Sequence, residues 1–79
     1  MEVIGYKRND FTVDGSQITG MDIYLAYPLH GKDAEGHAVR KCYLSDARLA
    51  RCGYIPCLGD NVEPTYSSRG KIIGLVSVD

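Results

Sequence analysis

The chain has 79 residues, enough for one small domain and too few for two. Hydrophobic residues make up 44% of it and charged residues 24%, a balance typical of folded globular proteins and unlike that of disordered chains. The formal net charge of -1 argues against a protein that coats nucleic acid through bulk positive charge.

The first third of the chain predicts two paired strands. Residues 2–13 are rich in β-branched and aromatic side chains, and Asp14 and Gly15 then supply residues that tolerate the positive φ of a tight hairpin turn. Residues 17–27 alternate between apolar and mixed side chains, as a half-buried strand does. We expect the two segments to pair antiparallel, with a bulge at Gly5 in the first.

A loop, a third strand and a short helix are predicted for the middle of the chain. Residues 28–36 contain Pro and Gly without an apolar period, which predicts an exposed connection. Residues 37–44 alternate again and predict a third strand. Ser45 is suited to cap a helix over residues 46–52, which are rich in helix formers, and Gly53 is suited to end it.

The last part of the chain predicts a second hairpin. Residues 61–66 form a fourth strand, in which Pro64 marks an edge or a bulge because it cannot donate to a ladder. A turn through residues 67–70 leads to a fifth strand over residues 71–78. Apolar side chains on both faces of this strand predict contact with another surface, such as a second copy of the chain. Since so small a domain gains burial by pairing, we expect a homodimer.

The order of these elements predicts the fold. Five strands with one short helix between the third and the fourth is the order of a small, all-β oligonucleotide/oligosaccharide-binding (OB) barrel, whose commonest ligand is single-stranded nucleic acid. We therefore predict a single five-stranded OB-like domain over residues 1–79. The main alternative is a protein–protein interaction module with the same or an SH3-like barrel fold.

Positive charge is concentrated on the predicted third strand and helix. Residues 37–53 carry four basic residues and one acidic residue, whereas residues 1–36 carry three basic and six acidic ones. Stacking on tyrosine is worth roughly 1–3 kcal/mol per base, so a few exposed rings beside these cations would suffice to bind a strand. Tyrosine is also an ordinary strand former that fills small cores. The candidate basic and aromatic residues are Tyr6, Lys7, Arg8, Tyr24, Arg40, Lys41, Tyr43, Tyr66, Arg69 and Lys71.

The turns and spacings of the chain resemble those of a known family. From Gln17 the order is a strand, a loop, a strand and a helical crossover, followed by Tyr54-Ile55-Pro56, Gly59 and a hairpin through Ser67-Ser68-Arg69-Gly70. This pattern is similar to that of the small helix-destabilising, single-stranded-DNA-binding proteins of filamentous phages and related mobile elements. The resemblance implies a dimeric five-stranded OB-like barrel whose aromatic and basic side chains stack on bases and contact phosphates. At the corresponding positions it implies a nucleic-acid-binding set of Tyr24, Tyr27, Arg40, Lys41 and Tyr43.

Catalysis and metal binding are not indicated. Ser45 and Asp46 are explained by helix capping and by a favourable charge in the first turn, and the chain has no nucleophile or phosphate-loop motif. Cys52 and Cys57 are at the loose edge of the usual spacing for zinc ligands. We therefore expect a non-enzyme without metal or cofactor.

The cysteines and the apolar runs predict the compartment. Cys42, Cys52 and Cys57 are odd in number, which favours free thiols in a reducing environment over a disulfide framework. No apolar run approaches the roughly 20 residues of a membrane span, and no signal peptide is recognisable. We expect a cytoplasmic protein of a bacterium, phage or mobile element that binds single-stranded DNA or RNA and a second copy of itself, or a protein partner.

Overall fold

The computed structural model describes residues 1–78, which form one helix and seven short strands. The strands are β1 (Glu2–Arg8), β2 (Phe11–Val13), β3 (Ser16–Ile18), β4 (Gly20–Pro28), β5 (His37–Ser45), β6 (Val62–Tyr66) and β7 (Ile72–Ser77). The helix α1 (Asp46–Cys52) lies between β5 and β6. Elements of every predicted type are therefore present, but the strands are more numerous and shorter than predicted.

The largest sheet has three antiparallel strands in the order β1-β4-β5. Ile23 and Leu25 of β4 are fully buried, as the predicted alternation requires. The pairing of β1 with β4 shifts register between Val3 and Gly5, so the predicted bulge in the first strand is confirmed.

The predicted first hairpin is divided into two parts. Beyond Arg8 the chain leaves the sheet, and β2 and β3 pair only with each other as a separate two-stranded sheet. At the division the backbone N–H of Asn9 donates to the carbonyl of Gly20 over 2.9 Å. The turn is where the sequence predicts it, with φ of 49° at Asp14 and 80° at Gly15. Two predicted strands thus become four.

The helix agrees with its sequence signals. The Ser45 hydroxyl accepts a hydrogen bond from the backbone N–H of Arg48 at 3.2 Å, which satisfies one of the unpaired donors at the start of α1. Gly53 ends the helix with a φ of 72°, and its N–H donates to the carbonyl of Leu49. Leu49 is the buried residue of α1 and attaches the helix to the core.

The predicted five-stranded OB-like barrel is wrong. The part of the chain that the structure describes forms three small separate sheets, and no closed barrel joins them. Between β1 and the β6–β7 sheet, strand pairing is reduced to one isolated bridge, from Glu2 to Asn61. No ladder joins β5 to β7, so the other side stays open. Pro64 lacks a donor, and a register shift after Thr65 interrupts the β6–β7 ladder, so this pair is too short to continue the larger sheet.

The core lies between the three-stranded sheet, α1 and the β6–β7 sheet. Its buried apolar residues form one cluster, in which Cys42, Leu49, Tyr54 and Ile72 surround the fully buried side chains. Those fully buried side chains are Val3, Ile23, Leu25, Leu44, Val62 and Leu75. In residues 1–78 there is no helix of the length and apolar character that a membrane span requires.

Candidate nucleic-acid interface

Three of the predicted binding residues lie on the face of the three-stranded sheet that points away from the core. Tyr24 of β4 is directly opposite Lys41 of β5, and Tyr43 lies two residues further along β5 on the same face. The ring of Tyr24 lies over Gly5, where an added Cβ would be 3.6 Å from it. Tyr24 is therefore partly explained by packing over the neighbouring strand, while Lys41 is exposed.

The other two predicted residues lie on the opposite face. Tyr27 is opposite Ala38, and Arg40 is opposite the buried Leu25, so alternation places both on the core side. Arg40 nevertheless belongs to an edge strand and remains exposed. Its guanidinium carbon lies 5.9 Å from the centroid of the Tyr66 ring, a cation–π distance. The sequence-predicted set is thus split between two faces of one sheet.

Tyr43 is held on several sides. Its ring lies beside that of Phe11, with centroids 5.3 Å apart and planes inclined at 56°. Its hydroxyl is buried and has no hydrogen-bond partner among the described residues. Gly20 leaves the space for this hydroxyl, because an added Cβ would overlap it. Burial raises the pKa of Tyr43, and the carboxylates of Asp10 and Asp46 raise it further.

Two adjoining cavities run along β5 and share Tyr43 and Lys71. We call them together the β5 groove. The first has a volume of about 280 Å³, and its other lining residues are Phe11, Ile18, Ser45 and Arg48. The second has a volume of about 230 Å³, and its other lining residues are Arg40, Lys41, Cys42 and Ile72. Of residues 1–78, no Asp or Glu lines either cavity.

The cations of the β5 groove have no acidic partners. The ion pairs found within residues 1–78 both belong to Arg8, which lies outside the groove. The side chains of Arg40, Lys41, Arg48 and Lys71 are therefore available to an anionic ligand. Four cations beside an aromatic pair, without a lining carboxylate, form a local positive site in a chain with a net charge of -1.

Arg8 neutralises the carboxylates at the root of the β2–β3 hairpin. Its guanidinium donates to both carboxylate oxygens of Asp46, at 2.9 Å each, and to Asp10 at 3.0 Å. The hydrogen bond from Arg8 lowers the pKa of Asp46. Asp10 also accepts from the backbone N–H of Gly20 at 3.2 Å. These bonds fix the start of the hairpin against α1 and keep two acidic groups engaged.

Sequence reasoning missed three residues of the groove. Phe11 and Arg48 do not belong to the resemblance-based set, and Lys71 appears only in the wider basic and aromatic set. The excess of positive charge over residues 37–53 was a signal for Arg48. Phe11 and Lys71 come from strands that are distant in sequence from β5, so only the folded chain brings them to Tyr43.

The cysteines and carboxylates form no metal site in the described part of the chain. No group of three or more His, Cys, Asp or Glu side chains in residues 1–78 is arranged to hold a metal ion. All three cysteines are free, as the sequence predicts. Cys42 is buried and Cys57 is exposed, so the expectation of three buried thiols is wrong for Cys57.

The chain was also compared with known proteins. No protein family, curated protein or solved structure matches it. The residues of the β5 groove and their geometry are therefore the basis for assigning a function.

Proposed function

We propose that this protein is a non-catalytic binder of single-stranded nucleic acid and that the strand lies in the β5 groove. The observation that carries the proposal is the composition of the groove lining. Two aromatic rings, Phe11 and Tyr43, lie beside four cations without ion-pair partners, and no carboxylate lines the cavities. Single strands are bound without strong sequence preference by this combination of rings that stack on bases and cations that contact phosphates.

The size of the groove favours an unpaired strand. Cavities of about 280 and 230 Å³ are small, and each is suited to one nucleotide at a time. In a duplex the bases are stacked on their neighbours, so their faces cannot reach Phe11 or Tyr43 without first being unstacked. Phosphates alone could contact Lys41 and Lys71, and duplex binding would then be weak and lost at moderate salt.

The proposal changes the predicted site in a specific way. Lys41, Tyr43 and Arg40 remain, because all three line the groove. Tyr24 lies on the same sheet face as Lys41 and extends the surface beyond the cavities. Tyr27 is left out, since it lies on the core side. We also retain the cytoplasmic, phage- or mobile-element setting as part of the proposal, which the free thiols support.

A titration against salt tests the proposal. A fluorescent oligo-dT should bind with a log affinity that falls with log salt at a slope of about -2 to -3, because each of three or four phosphate contacts contributes about -0.7. Lys71→Gln should weaken binding and flatten the slope by roughly one contact. Lys32→Gln, in the exposed loop before β5, is the matched control and should change neither quantity.

The same titration can contradict the proposal. If the unaltered protein does not bind oligo-dT at about 20 mM salt, where attraction is least screened, the nucleic-acid function is wrong. A slope that Lys71→Gln and Lys32→Gln change equally would show that binding is not located in the groove.

A protein–protein interaction module is the second candidate. It is favoured by an apolar surface at the other side of α1, a cavity of about 370 Å³ lined by Leu49, Ala50, Gly53, Tyr54, Ile55 and Pro56. Ile55 is 83% exposed there, and Leu58 follows it at 63%. Binding at this surface would depend little on salt, so the titration distinguishes the two candidates.

A further inference from the structure

The β2–β3 hairpin is attached to the rest of the chain mainly at its root. Its strands pair with each other and with no other strand. Arg8 fixes the root through Asp46 and Asp10, and Asp10 in turn binds the backbone of Gly20. Beyond these bonds, the hairpin has one ladder of its own to hold its shape. We call residues 11–18 the arm.

The arm meets the β5 groove through one side chain pair. Phe11 and Ile18 are opposite each other in the arm ladder, and both line the larger cavity. The ring of Phe11 is 39% exposed although it touches Tyr43. The planes of the two rings are inclined at 56°, so the rings are not stacked on each other and each retains a face that a ligand can use.

We propose that the arm closes over one unpaired base, which inserts between Phe11 and Tyr43. Arg48 and Lys71 line the same cavity and would hold the phosphates on either side of that base. This inference rests on the proposed function and specifies how the groove recognises its ligand. The ligand class is a nucleic acid strand with at least one base free to leave the stack, and the base may be any of the four because each has a π-face.

The distances indicate what insertion requires. A base between two rings needs about 7 Å between their centroids, which is two contact distances of about 3.5 Å. Phe11 and Tyr43 are 5.3 Å apart. The arm therefore has to swing outward by about 2 Å and reduce the inclination of the rings. The ion pairs of Arg8 lie at the root, so this movement breaks none of them.

The energetic exchange favours insertion. The inclined Phe11–Tyr43 contact is replaced by two stacking contacts with the base, and stacking of a base on an aromatic side chain is the stronger of the two kinds of contact. The exposed part of the Phe11 ring is also removed from water. Closure of the arm then depends on a base and not on a phosphate alone.

The test uses the full chain and an oligo-dT of about ten nucleotides that carries one fluorescent purine analogue at its centre. Insertion between the rings should quench the analogue in the unaltered protein. Phe11→Leu should lower the affinity about tenfold and remove the quenching, while the salt slope stays unchanged because no cation is lost. Val13→Ser is the matched control, since Val13 is exposed on the same arm and does not line the groove.

The outcomes separate this inference from the proposed function. If the unaltered protein binds with the expected salt slope but Phe11→Leu binds and quenches equally well, the inserted base is wrong and the β5 groove remains the binding site. If Val13→Ser weakens binding as much as Phe11→Leu, a general effect on the arm replaces the specific one. If the unaltered protein does not bind oligo-dT, the proposed function and the inserted base both fail.

Discussion

Replacing Tyr43 by Phe should stabilise the protein. The hydroxyl of Tyr43 is buried and has no hydrogen-bond partner among the described residues, so folding removes it from water without compensation. Phe keeps the ring and its contact with Phe11 but removes the uncompensated group. For a domain of this size, recovering the free energy of one unmade hydrogen bond corresponds to a rise in Tm of roughly 4–8 °C.

Tyr54→Phe is the matched control for this prediction. The hydroxyl of Tyr54 donates to the carboxylate of Asp60 over 2.9 Å, in a part of the chain where the tyrosine is buried. Loss of this bond should lower the free energy of unfolding by about 1–2 kcal/mol, because the Asp60 oxygen loses its donor. The two variants remove the same atom from the same residue type and should change stability in opposite directions.

Thermal unfolding followed by circular dichroism measures both variants. If Tyr43→Phe lowers Tm or leaves it unchanged, the hydroxyl has a partner in solution and the geometric argument is refuted. The variant also separates two roles of Tyr43 in the groove. Because the ring remains, oligo-dT affinity should stay within about twofold of the unaltered protein, whereas Tyr43→Ala should weaken it by about one stacking contact.

Two further predictions concern pH and association. Burial, with the bond to Asp60, raises the pKa of Tyr54 to about 12, so its contribution to stability is complete below pH 10 and is lost as the pH rises from 10 to 12. Urea unfolding across this range should show the loss in the unaltered protein and a flatter profile in Tyr54→Phe. The expected homodimer would use the exposed side of β7, where Val76 is 55% exposed opposite Glu63. Sedimentation at micromolar concentration should give twice the monomer mass, Val76→Asp should lower it and Ser68→Asp should not; a monomer in every case would refute the dimer.

The elements that the sequence predicts correctly are those specified by neighbouring residues. The hydroxyl of Ser45 and the φ of Gly53 act within one helical turn, and the turn at Asp14 and Gly15 needs only its own two residues. The bulge before Gly5 is similarly local. In each case the chemistry that forms the element lies in a few consecutive residues, so a single sequence is enough to locate it.

The arrangement of the sheets depends on contacts between distant residues and was predicted incorrectly. Arg8 leaves the first hairpin to bind Asp46, which is 38 residues away, and the ladder is interrupted at that point. The alternation of β5 placed Lys41 and Tyr43 correctly on one face, but it also shows that Arg40 belongs to the other. Membership of the groove depends on Lys71 and Phe11, which reach Tyr43 only after three sheets have packed together.

The net charge of the chain and its proposed ligand are compatible because charge acts locally. At physiological salt, interactions between exposed charges are largely screened beyond about 8 Å. A bound strand is therefore attracted by the charges that line the groove, where Arg48 and Lys71 have no acidic partners. The carboxylates of Asp10 and Asp46 raise the pKa of Tyr43 and so act on the same part of the groove, but both are bound by Arg8. Arg8 thus supports the positive character of the groove without lining it, and the acidic excess of residues 1–36 does not prevent the binding of a strand.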